Sequence, residues 1–121
     1  MNGSREDNEI KELEYQGLLY DFYGELLTEK QKMAYGDHVL DDFSLTEIAQ
    51  STGVSRQAAH DLIKRTDSIL KGYEAKLHLV ERFLKVKEQV LKIQEIVDET
   101  EEDSAIIGRI NELTTEILNE L

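Results

Sequence analysis

The sequence predicts an all-α protein, a helical helix-turn-helix domain followed by a long C-terminal helical extension. Three observations carry this. The 121 residues contain no Pro and are rich in Leu, Glu, Lys and Ile, a composition that favours helices over strands. Apolar residues recur at three- and four-residue steps along most of the chain. Between Leu45 and Arg65 a small residue, a turn glycine and matched apolar positions fall where two short helices must cross at a steep angle.

Taken in order, residues 1–9 are polar and aperiodic, and the reading leaves them disordered. A first helix begins at Ile10, where Ile10, Leu13, Gly17, Tyr20 and Gly24 form one row and Leu18, Leu19, Phe22 and Tyr23 widen it. Gly17 and Gly24 are placed for a close helix neighbour. Thr28-Glu29-Lys30-Gln31 has the form of a capping box, in which Thr28 accepts from a first-turn amide and Gln31 reaches back. The second helix then runs from about Glu29 to Leu40 and is expected to bury Met33, Tyr35 or Ala34, and Val39-Leu40. Ser44-Leu45-Thr46-Glu47 is a second capping box, opening a short helix that turns Leu45, Ile48 and Ala49 inward and stops at Gly53.

Ser55 caps the next helix, which starts at Arg56. Thr66-Asp67-Ser68 is placed to recap it and Gly72 to bend it. From Ile69 a seam of Tyr73, Leu77, Val80 and Leu84 continues through Val90, Ile93 and Val97 at near-heptad spacing. Acidic residues 98–103 end it, and Ile106, Ile110, Leu113, Ile117 and Leu121 form a last amphipathic helix. The expected division is thus residues 1–9 disordered, 10–68 the helix-turn-helix domain, and 69–121 the extension. That extension has more apolar surface than a compact helix-turn-helix can cover, so it is read as the means of self-association into a homodimer.

Charge and chemistry narrow the function. The net charge is −12, yet residues 44–66 and 67–97 each sum to +1, between ends of −7 each. A middle that is mildly basic leaves a local grip on phosphate open despite the global repulsion. No Cys is present, which excludes disulfides and thiol nucleophiles and suits a reducing compartment. No apolar run approaches the ~18 residues that span a membrane, and no signal peptide opens the chain. A cytoplasmic location is expected. The three His, at 38, 60 and 78, lie too far apart for a metal pair. Spacings such as His38/Asp42 and Asp37/Asp41 read as a solvated face. No catalytic group, no metal and no cofactor is assigned, and the protein is not read as an enzyme.

If the second helix of the motif enters a major groove, its outward N-terminal residues meet the base edges. These are Ser55, Arg56, Gln57 and His60, with Lys64 and Arg65 placed for phosphates. Arg56 suits a guanine and Gln57 an adenine. Ser44, Thr46, Lys30 and Lys32 are near enough to touch the backbone. Ala58, Ala59 and Asp61 occupy the middle of the helix.

Three stretches carry a resemblance to a known family: Asp21 to Gln31, Asp42 to Ala49, and Val54 to Thr66, followed by Tyr73-Glu74-Ala75-Lys76-Leu77. Over about residues 18–84 the chain resembles the YlxM-like helix-turn-helix proteins, which in turn resemble region four of bacterial sigma factors. The resemblance implies a bacterial, cytoplasmic, DNA-binding regulatory protein. It also implies a link to the signal recognition particle, because genes of the family usually neighbour that of the particle's GTPase. The partners expected are therefore DNA or, as the alternative, the RNA or GTPase of that particle, with the protein then acting as a non-DNA-binding accessory. An internal use of the acidic 98–103 stretch as a phosphate mimic is a further expectation.

Overall fold

The structure, a computed structural model, describes residues 2–100 and 104–121, with side chains from residue 11 onward in the first stretch. Met1, and the part of the acidic run at 101–103, lie outside the described residues, and with the latter the phosphate-mimic expectation. The described residues form six α-helices and no strand: α1 Asn2–Tyr23, α2 Glu29–Val39, α3 Leu45–Thr52, α4 Arg56–Leu77, α5 Leu79–Glu99 and α6 Ala105–Glu120. A 3-10 turn, Gly24–Leu26, follows α1. The all-α expectation holds.

The chain divides into two compact units, the first ending at His78 and the second starting at Leu79. In the first, α4 is the central element, packed against α1, α2 and α3. Leu19, Tyr35, Ile48, Ala59 and Leu70 are fully buried there. Each of the larger aliphatic residues among them contributes about 1.5–3 kcal/mol through burial. Gly36 lets α1 and α2 approach, because a Cβ there would lie 2.8 Å from Tyr20 Oη. That role was expected of Gly17 and Gly24. Instead a Cβ on Gly17 would make only ordinary contact with Val39, and one on Gly24 would meet the Tyr20 ring, on the same segment.

Polar bonds lock the packing. Asp67 of α4 accepts from Tyr35 Oη at 2.7 Å and from Gln16 Nε2 at 3.3 Å. Its other oxygen lies 3.0 Å from Lys71 Nζ, and Lys71 also reaches Glu12 at 3.3 Å. Tyr23 Oη donates to Glu74 Oε1 at 2.6 Å. The bond to Asp67 holds the Lys71 ammonium above its ordinary value. Burial, and then the hydrogen bond to Asp67, push the Tyr35 phenol far above its ordinary 10.0.

Several boundaries differ from the sequence reading. Helix α1 starts at Asn2 rather than Ile10, so the segment expected to be disordered carries helical backbone from Asn2 onward. Extending a nucleated helix costs little where no Pro intervenes. Helix α4 runs through residues 66–68 without recapping. Thr66 and Ser68 donate instead to the carbonyls of Leu62 and Lys64, at 2.7 and 3.2 Å, a back-bond available to a hydroxyl within a helix. The boundary therefore falls after His78 rather than Ser68, since Leu70 and Glu74 are buried in the first unit. His78 ends α4 in the left-handed region at φ 57°, with its N–H donating to Glu74 O, which interrupts a seam that looked continuous. In α2 and at its C-cap, Met33 and Leu40 face solvent, while Ala34, Tyr35 and Val39 are buried.

The second unit is a helical hairpin. Five residues separate α5 from α6, and Gln94 Nε2 donates to Thr114 Oγ1 at 3.3 Å, so the helices run antiparallel. Ser104 caps α6 by accepting from Ile107 N. Val90, Val97 and Thr114 are buried. Leu84, Leu91, Ile93, Ile96, Ile106, Leu113 and Ile117 are exposed.

The Tyr35–Asp67 bond gives a measurable signature. Tyr35 has a raised folded-state pKa, so its contribution to stability is complete below pH 10 and is lost as pH rises above that. Tyr35→Phe is expected to cost about 1 kcal/mol at pH 7 and to flatten the alkaline fall in stability above about pH 10. Urea melts of both proteins at pH 7 to 11 check this, and parallel alkaline slopes refute it.

Candidate nucleic-acid interface

The crossing of α3 and α4 is built from local chemistry. Ser44 Oγ accepts from Glu47 N at 3.1 Å, while Glu47 Oε1 accepts from Ser44 N at 3.2 Å. This capping box fixes the start of α3, as expected, and the box at Thr28 and Gln31 does the same for α2. Gly53 ends α3 at φ 72°, and the N–H groups of Gly53 and Val54 both donate to Ala49 O. Ser55 Oγ then accepts from Ala58 N at 3.1 Å and starts α4. Ile48 of α3 and Ala59 of α4 are fully buried. Ala59 is small enough for the two helices to cross closely.

This scaffold decides where the candidate residues go. Ser55, Arg56, Gln57, His60, Lys64, Arg65, Ser44 and Thr46 are all exposed. Arg56, Gln57 and His60 come together with Leu45 around a shallow hollow of about 340 Å³ between the starts of α3 and α4. Lys64 lies one turn beyond His60 in the same row. Arg65 falls on the other flank of α4. There it lines a second hollow of about 300 Å³ with Lys30, Val54, Ala58, Asp61 and Leu62. The candidates thus divide between two flanks of one helix.

The cations differ in availability. Arg56, Lys64, Arg65 and Lys30 make no ion pair among the described residues. Lys32 is bonded to Glu25 at 2.6 Å, and this bond holds its ammonium above the ordinary value. Lys32 is therefore less suited to a phosphate than Lys30. Ser44 and Ser55 spend their oxygen lone pairs on caps but keep their hydroxyl protons. Two residues were not among the sequence candidates. Leu45 forms an apolar wall of the first hollow. Asp61 accepts from Gln57 Nε2 at 3.1 Å and lies 3.6 Å from His60 Nδ1. The four-residue spacing of Gln57 and Asp61 was the available signal.

Among the described residues no group of three or more His, Asp or Glu is placed to hold a metal ion. His38 Nδ1 lies 2.9 Å from Phe43 O, so its ring closes the α2–α3 connection. No helix of the described residues is long and apolar enough to cross a membrane.

These features define a helix-turn-helix protein. Residues 10–113 match the family described as "Putative helix-turn-helix protein, YlxM / p13 like", and the chain belongs to that family. Similar proteins include UPF0122 protein YlxM of Bacillus subtilis, 46% identical over 95 residues that cover 78% of this chain and 86% of the relative. UPF0122 protein BH2485 of Halalkalibacterium halodurans is 44% identical over 97 residues, covering 80% and 89%. A UPF0122 protein of Streptococcus gordonii is 41% identical over 107 residues, covering 88% and 94%.

The turn itself can be tested without a ligand. A Cβ at Gly53 would touch nothing within 4 Å, so Gly53→Ala carries only the cost of left-handed backbone, about 1–2 kcal/mol. Thermal melts of the variant are expected to show that loss. An unchanged melting temperature would mean that the turn adopts another conformation in solution.

Proposed function

We propose that the protein is a DNA-binding regulator of the bacterial cytoplasm, without catalytic activity, that reads base edges with the first turns of α4. One observation carries the proposal: Arg56, Gln57 and His60 converge at the start of α4, with Arg56, Lys64, Arg65 and Lys30 exposed and free of ion pairs among the described residues. Arg56 suits guanine O6 and N7, and Gln57 suits adenine N6 and N7. Lys64, Arg65 and Lys30 hold the backbone, while Thr46 and the capping serines at 44 and 55 offer hydroxyls to phosphate. The acidic balance of the whole chain makes binding weak on random DNA, and each phosphate contact adds about 0.9 to its salt slope.

We also propose that the α5–α6 hairpin pairs with a second copy. Two helices cannot enclose a core between them, and here Ile96 and Ile106 are 65% and 73% exposed. A second hairpin would complete a four-helix bundle and present two reading helices, as paired half-sites require.

Binding is tested by titrating the full chain with pooled genomic DNA fragments across salt, alongside the RNA of the signal recognition particle with and without its GTPase. Enrichment of particular DNA sequences is the expected result. Binding to the particle's components with no DNA selectivity would move the function to protein targeting, the alternative that the resemblance implies. On a selected sequence, Arg56→Ala is expected to lose about 1–3 kcal/mol and to relax selectivity at one base pair. Lys64→Ala should weaken all sequences alike and lower the salt slope by about 1.

Sedimentation equilibrium tests the pairing. The expected mass is twice 13.9 kDa, reduced to the single-chain value by Ile96→Glu with Ile106→Glu. A wild-type monomer at micromolar concentration overturns it.

A further inference from the structure

Asp61 is a carboxylate on a helix that is read here as facing phosphates, and it sits one turn beyond Gln57 with its Oδ1 accepting from Gln57 Nε2 at 3.1 Å. Both side chains are exposed. A carboxylate in this place repels DNA of any sequence, because it adds negative charge where counterions must be released. The same atom has a directional effect on its neighbour. An unpartnered glutamine can rotate and flip its amide, exchanging donor for acceptor. Asp61 accepts only, so it selects the orientation in which Nε2 points along the helix toward residue 61. The second N–H of that amide and Oε1 then remain for a ligand, and one donor beside one acceptor is the pattern that matches the N7 and N6 edge of adenine.

We infer that Asp61 is a positioning residue for base recognition: it fixes the Gln57 amide for adenine and, in exchange, lowers affinity for DNA of every sequence. This rests on the reading of α4 as the DNA-contacting helix. The neighbouring charges bear on it in a consistent way. His60 Nδ1 is 3.6 Å from the same Oδ1, and neither Lys30 nor Arg65, which share the second hollow with Asp61, forms an ion pair with it. Gln57 is thus the nearer partner of the Asp61 carboxylate, with His60 beyond hydrogen-bond distance.

The test uses a randomised duplex pool with the wild-type full chain, Asp61→Ala, Asp61→Asn and Gln57→Ala. The asparagine keeps a carbonyl acceptor and removes the charge, whereas the alanine removes both. Both Asp61 variants are expected to bind unselected DNA several-fold more tightly at low salt. Asp61→Ala should lose the adenine preference at the base pair where Gln57→Ala loses it, by about tenfold, while Asp61→Asn, whose amide can turn a donor as well as an acceptor toward Gln57, keeps only part of it. An adenine preference that survives unchanged in Asp61→Ala overturns the inference while leaving α4 as the reader. A wild-type chain that selects no sequence overturns both.

Discussion

Asp67 is the point on which the first unit depends. One carboxylate on α4 takes Tyr35 from α2 and Gln16 from α1, and through Lys71 it is tied to Glu12 on α1. Three helices are therefore registered against each other by directional bonds as well as by apolar packing, which is non-directional. The arrangement works because the carboxylate keeps its counter-charge. Lys71 neutralises it, and the two neutral donors occupy its other oxygen, so no part of the group is buried without a partner. Tyr23 and Glu74 repeat the device two turns further along the same pair of helices.

This constraint reaches the candidate interface because α4 is one unbroken helix from Arg56 to Leu77. Its last turns carry Asp67, Leu70 and Glu74 into the core, and its first turns carry Arg56, Gln57 and His60 into solvent. At 1.5 Å per residue the helix is about 33 Å long, and a rod anchored over its second half holds its first half in a defined position. The short α3 contributes from the other side, where Ile48 sets the crossing and Leu45 walls the hollow. Side chains on a helix with such support are aimed more accurately than side chains on a loop.

Much of this was legible in the sequence, because the signals were local. Both capping boxes, the turn at Gly53 and the Ser55 cap each involve residues within a few positions of one another, and each forms as its chemistry requires. The exposed candidates on α4 follow from the 3.6-residue period in the same way. Features that depend on distant partners were not legible. No spacing reveals that Asp67 meets Tyr35 and Gln16, so Thr66-Asp67-Ser68 resembled a cap, although its aspartate is a tertiary ligand and its hydroxyls are turned back onto the helix. Met33 and Leu40 were placed inside by hydrophobicity alone, but the face of α2 chosen by Tyr35 and Gly36 leaves both in water. The break at His78 was hidden because the apolar steps on either side of it keep helical spacing.

The pattern of contacts also sets an order of assembly. The α3–α4 crossing and the α5–α6 hairpin join segments that are neighbours along the chain, and loops this short close at small entropic cost. The docking of α1 is different. Its bonds from Gln16 to Asp67 and from Tyr23 to Glu74 each span 51 positions, so the largest loop closure in the first unit is incurred there. During synthesis α1 emerges first and can meet only α2 until the second half of α4 has left the ribosome. The N-terminal helix is thus fully fastened only late, and α4 gains its last partner in the first unit when the oldest part of the chain returns to it.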